Sequence, residues 1–138
     1  MGFRSQKFNI KVWDTAGSEK YNTLPKSFFK RAEGIMICFD STKIESFNNV
    51  SKWMEQVDSH AQEDVPKLLV GTKIDLEKQR NVSHALASKF ADTHNMYYLE
   101  CSSQADAGIN EAFFLIYDMA ILFKFQATKE MINTLSDY

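Results

Sequence analysis

The 138-residue sequence predicts an α/β domain, a mainly parallel sheet with helices on both faces, and three observations support that fold class. Apolar or alternating stretches near 8–13, 34–39, 67–71 and 96–99 have the period of strands. Between them, apolar residues recur at helical spacing over lengths that suit crossovers between parallel neighbours. Pro25 and Pro66 both fall in connections, where a missing amide donor does no harm, and no repeat or linker divides the chain.

In chain order, Phe8, Ile10 and Val12 alternate with Asn9 and Lys11, the pattern of a half-buried strand that ends near Trp13. A polar loop follows over 14–20. The run from Gly34 to Phe39 is continuously apolar and reads as a strand buried on both faces; 67–71 is another, and 96–99 a shorter third. Phe47, Val50, Met54 and Val57 fall at i, i+3, i+7 and i+10 on one helical face, and Thr42 with Glu45 three residues on forms a capping box ahead of them. Ser83 caps a second helix whose Leu86, Phe90 and Ala91 face inward. The last helix, 109–125, is apolar at 13 of 17 positions. Asp118 and Lys124 interrupt it and its length only reaches the bottom of the membrane-spanning range, so it reads as a core helix.

Composition excludes several functions. Lys+Arg 16 against Asp+Glu 18 leaves a net charge of −2 with no long run of one sign, so no polycationic face for nucleic acid or anionic lipid is expected. Two cysteines, Cys38 in an apolar run and Cys101 in a polar one, make neither a disulfide framework nor a zinc knuckle and fit reduced cytoplasmic thiols. Gln6 stands where a myristoylation signal needs Ser or Thr, and the final Thr-Leu-Ser-Asp-Tyr lacks a prenylation cysteine. The expected location is cytoplasmic, with no lipid anchor evident. His60, His84 and His94 have no metal-site spacing.

Ligands of parallel sheets sit at the loops leaving the carboxyl ends of strands, which nominates 14–18, 40–42, 72–75 and 101–104. Asp14 ends the first strand and Gly17 follows. A carboxylate can hold a magnesium-bound water there while a glycine amide approaches a phosphate oxygen, although the tetrapeptide alone is more often an ordinary turn. In Gly71-Thr-Lys-Ile-Asp75 the terminal carboxylate has two acceptor oxygens, a match for the ring and exocyclic N–H groups of guanine; adenine presents no such fork. Lys73 can lay its stem along a base plane, and Glu100-Cys-Ser-Ser103 offers hydroxyls and amides to a base oxygen.

Together, Trp13-Asp-Thr-Ala-Gly17, Ser27-Phe-Phe-Lys-Arg-Ala32, Ile37-Cys-Phe-Asp-Ser-Thr42, Glu45-Ser-Phe-Asn-Asn-Val50, Leu68-Leu-Val-Gly-Thr-Lys-Ile-Asp75 and Glu100-Cys-Ser-Ser103 resemble a small GTPase of the Ras superfamily, closest to Rab. The resemblance runs over about 8–125, with 126–138 a short tail, and implies the P-loop NTPase fold of a vesicle-trafficking switch that takes GTP or GDP with Mg2+. It implies that Asp14 holds the metal through water, that Gly17 senses the γ-phosphate and that residues 14 to about 31 are switch II. Thr72, Lys73 and Asp75 match the guanine-recognition motif, with Thr where Rab usually has Asn. Ser102 and Ser103 match the last base-contacting loop, and Gln104 stands where the family has Lys. Trp13, Phe28 and Phe29 resemble aromatics shown to effector or regulator proteins.

The family pattern begins with a strand, a Gly-x-x-x-x-Gly-Lys-Ser/Thr loop, a helix and switch I, none of which is found in these 138 residues, so a domain truncated at the amino end is expected. Ser18 occupies the place of the water-orienting glutamine, leaving no catalytic residue assigned and hydrolysis expected to be slow. In the family's sheet the missing strand lies between 8–13 and 34–39. Either these two pair directly or the first is left detached from a three-stranded sheet. The helix 109–125 is then incompletely covered. The alternative to a GTP switch is a nucleotide-independent interaction module.

Overall fold

The computed structural model describes residues 7–15 and 25–136, with side chains as far as residue 134. Its elements are α1 (Lys26–Arg31), β1 (Ile35–Asp40), α2 (Ile44–Asn48), α3 (Val50–His60), β2 (Lys67–Thr72), α4 (His84–Thr93), β3 (Tyr97–Glu100) and α5 (Ile109–Ser136). The three strands form a parallel sheet in the order β1-β2-β3. Ile35 pairs with Lys67 in one ladder and Leu68 with Tyr97 in the other.

Each face of the sheet has its own core. On one, Ile37, Phe39 and Leu69 pack with Phe29 of α1, Phe47 of α2, Val50, Met54 and Val57 of α3, and Ala87 and Ala91 of α4. On the other, Leu68, Val70 and Cys101 meet Ala112 and Ile116 of α5. Helices on both faces of a mainly parallel sheet is the predicted arrangement, and β2 is buried across it.

Five local expectations are corrected. Residues 8–13 form no strand: Phe8, Ile10 and Val12 are exposed, and the segment is detached from the sheet. A strand needs a neighbour for its ladder, and the alternation specifies only which side chains that strand would bury. Thr42 caps nothing, because its hydroxyl donates to Asp40 Oδ1 at 2.6 Å; Lys43 is the cap residue of α2 and supplies no side-chain bond. β1 is fully covered on one face, by burial of Ile37 and Phe39, and only partly on the other, where Met36 packs against the α5-side core and Cys38 is exposed; Tyr97 of β3 is likewise open on the opposite edge. In α4 the Ser83 hydroxyl does accept from Leu86 N at 3.1 Å, and Ala91 and Phe90 do turn to the core, but Leu86 is exposed and Ala87 takes the inward place beside them. α5 continues past 125 to Ser136, because 126–135 holds no Gly or Pro and nothing ends the helix.

α5 carries its apolar content on more than one face: Ala112 and Ile116 are buried while Phe114, Leu122 and Phe125 are exposed. No described helix is long and apolar enough to cross a membrane.

Candidate functional site

Parallel strands end together, and the loops leaving β1, β2 and β3 are tied to one another at that end of the sheet. Thr72 Oγ1 donates to the Phe39 carbonyl at 2.9 Å, and Ser41 N donates to the Thr72 carbonyl, joining the first two loops. Ile74 N donates to the Cys101 carbonyl at 3.4 Å, joining the second to the third. The Thr72 hydroxyl is thereby committed to the backbone of β1.

Asp75 and Ser102, 27 residues apart in sequence, are in direct contact. The Ser102 hydroxyl donates to Asp75 Oδ1 at 2.6 Å and accepts from Ala105 N at 3.0 Å. Ser102 is buried, and a paired bridge between Ser102 and Ala107 closes the loop behind it. Asp75 itself is exposed, as are Ser103 and Gln104 at the tip of the loop. Gly108, at φ +73°, lets the chain leave this loop for α5.

Lys73 takes the left-handed conformation at φ +61° and sends its ammonium to Asp40 Oδ2 at 2.8 Å. Asp40 Oδ1 accepts from Thr42 N at 2.9 Å as well as from its hydroxyl. Desolvation pushes the Asp40 carboxyl up, but the bonds from Lys73 and Thr42 outweigh it and hold the group at about 2. Asp40 belongs to a nominated loop, yet the alignment of strand ends that makes it the partner of Lys73 is visible only in the folded sheet.

Behind the third loop lies a second group with no sequence signal. Arg80 Nη1 reaches Glu100 Oε2 at 2.6 Å, and the Tyr98 hydroxyl donates to the same oxygen at 2.8 Å. Burial opposes ionisation of Glu100, while the Arg80 and Tyr98 bonds favour it and leave its carboxyl below the usual range. Tyr98 is raised, by burial and then by Glu100. Glu100 immediately precedes Cys101 and Ser102, so the network anchors the start of the loop that carries Ser102.

The other nominated residues are placed differently. Asp14 is exposed and takes no part in these contacts, while Gly17 and Ser18 lie outside the described residues. Trp13 is 69% exposed and Phe28 38%, with their rings edge to face at a centroid distance of 5.4 Å. Phe29 is turned into the core at 6% exposure, its ring 6.1 Å from that of His60, so only Trp13 and Phe28 of the three aromatics are open to a partner.

The model of the Ras family matches residues 1–121. The Ras-related protein Rab-10 of Caenorhabditis elegans is 37% identical over 117 residues, covering 85% of this chain and 57% of that protein. The Ras-related protein RABD2c of Arabidopsis thaliana is 43% identical over 104 residues, 75% of this chain and 52% of that one. The GTP-binding protein ypt1 of Schizosaccharomyces pombe is 39% identical over 104 residues, 75% of this chain and 51% of that one. The chain spans about half the length of these relatives.

Proposed function

The chain belongs to the Ras family, and on that premise we propose that it is a Rab-like guanine-nucleotide module of vesicle traffic whose base-side contacts lie within the three strand-end loops. The Asp75–Ser102 contact is the observation that supports this most directly. Each carboxylate oxygen has two acceptor sites, so Asp75 Oδ1 keeps one beside the serine bond, and the two oxygens together face the paired N–H groups of a guanine edge. Ser102 fixes the angle of the carboxylate, Lys73 stands beside the base plane, and Ser103 and Gln104 flank it at the loop tip.

The phosphate side is weaker. GTP and GDP require donors for several phosphate oxygens, and these 138 residues hold no Gly-Lys-Ser or Gly-Lys-Thr triplet. Bound Mg2+ neutralises phosphate charge in such sites. Among the described residues, however, no three His, Cys, Asp or Glu side chains converge, and Asp14 alone does not fit a metal site. We therefore assign these residues guanine recognition with weak phosphate affinity, slow hydrolysis with Ser18 at the glutamine position, and docking of effector or regulator proteins through Trp13 and Phe28.

Titration with fluorescent GDP in magnesium buffer tests the assignment. Saturable binding is expected, with guanine preferred over adenine nucleotide and a loss of at least about tenfold in Asp75→Ala, the cost of removing a charged hydrogen-bond partner. Equal binding of both bases, or no loss in Asp75→Ala, overturns it. Absence of any response at high micromolar nucleotide supports the nucleotide-independent interaction module instead, which the exposed Trp13–Phe28 pair favours.

A further inference from the structure

The loop over 72–75 is strapped on both sides. Asp75 is tied to the third loop through the Ser102 hydroxyl, and Lys73 is tied to the first through Asp40 Oδ2 at 2.8 Å. Both ends of the Lys73 side chain are held. Its backbone, left-handed at φ +61°, is fixed by the turn that Leu76 N closes on the Lys73 carbonyl and by the bond from Ile74 N to the Cys101 carbonyl. Its ammonium ends on a carboxylate that is itself fixed. Asp40 N donates to Ser46 Oγ at 2.9 Å, and Asp40 Oδ1 takes both the amide and the hydroxyl of Thr42, which leaves Oδ2 for Lys73. Thr42 is held in turn by Asn81 Nδ2, which donates to its carbonyl at 2.6 Å. The pair is unequal in exposure: the Asp40 side chain is 13% exposed and that of Lys73 54%. A ligand at this end of the sheet meets the lysine stem, an apolar bar pinned at either end.

We propose that Asp40, braced by Thr42, is a positioning residue for guanine: it holds the Lys73 stem flat against the base while Ser102 holds the Asp75 carboxylate at the base edge. Its role rests on the guanine reading of Asp75 and Ser102, and adds what they lack, a fixed surface for the face of the base. A loose lysine gives up rotamer freedom when a ligand settles on it, and that loss subtracts from affinity. Here the ion pair immobilises the side chain before the ligand arrives. The carboxyl of Asp40 lies at about 2, so the pair stays ionised throughout the neutral range. The same pair sets what Lys73 recognises. With its ammonium neutralised by Asp40, it offers apolar surface to a base and no free charge to a phosphate chain.

Displacement of fluorescent GDP by unlabelled GMP and GDP in magnesium buffer tests this. Asp40→Asn and Lys73→Met are each expected to weaken binding about three- to tenfold, the cost of immobilising one long side chain on binding, by the same factor for both nucleotides. Since Asp40 acts through Lys73, adding Asp40→Asn to Lys73→Met is expected to weaken binding by no more than about twofold further, whereas a merely structural Asp40 would cost as much in either background. Thr42→Val is expected to lose affinity in the same direction and Thr42→Ser to keep it; equal binding by these two overturns the bracing. Additive losses in the double variant overturn the role of Asp40. So does tighter GDP binding in Asp40→Asn with GMP unchanged, the sign of an ammonium released to the phosphates. Asp75→Ala, run alongside, separates the two levels: affinity lost there but kept in Asp40→Asn overturns the positioning role alone. A wild-type chain without saturable binding, or no loss in Asp75→Ala, overturns both.

Discussion

An alanine at Gly108 would place its methyl carbon 2.3 Å from the Glu100 carbonyl oxygen, at a φ of +73° that L side chains avoid. Gly108→Ala is expected to destabilise the fold by about 1–3 kcal/mol, read as a lower Tm. Gly71 is constrained by packing instead: a Cβ there meets the Tyr98 hydroxyl at 2.8 Å and the Phe39 ring at 3.0 Å. The Asp40–Lys73 pair gives a pH dependence. The Asp40 carboxyl is at about 2 in the fold against 3.8 otherwise, so its stabilisation is complete above the higher value and is lost as pH falls through the lower. Asp40→Asn is expected to flatten the acid side of a urea-midpoint profile between about pH 5 and pH 2. Asp75 and Ser102 are legible in the sequence because each follows an apolar run that can only be a strand. Phe29 is not. Neighbouring aromatics on a helix point about 100° apart, and nothing local says which of Phe28 and Phe29 turns inward.

At the scale of elements, the helices were legible in type and less so in extent. Ser83→Ala is expected to cost about 1 kcal/mol through loss of the Leu86 N bond, whereas Thr42→Ala leaves the start of α2 intact and acts on Asp40 instead. α5 separates burial from composition: Ile116 fills the core above Gly34, with its Cγ1 3.1 Å from where a Cβ on that glycine would sit, while Phe114 is 67% exposed. Ile116→Ala is therefore expected to cost about 2–4 kcal/mol in denaturant melts and Phe114→Ala less than about 0.5, although the sequence gives both as equally apolar. The alternation at 8–13 is the clearest misreading. Period two records which side chains a strand would bury, and hydrogen bonds to a neighbour decide whether the strand exists.

For the whole molecule, the fold class followed from alternating periods, and the meeting of the nominated loops followed from the fold class, because parallel strands deliver their loops to one end. The contacts within that site did not follow: Lys73 to Asp40 spans 33 residues and Arg80 to Glu100 spans 20, and no local pattern encodes either pairing. Strand order in space equals strand order in sequence, so β2 alone has a neighbour on both sides. Amide exchange with deuterated solvent should register that arrangement residue by residue. The amides of β2 are expected to be the last to exchange, opening only when the molecule does. Along β1, Ile35, Ile37 and Phe39 should be slow while Met36 and Cys38 between them are faster, so that protection alternates from Ile35 to Phe39 until the Ser46 hydroxyl holds the amide of Asp40.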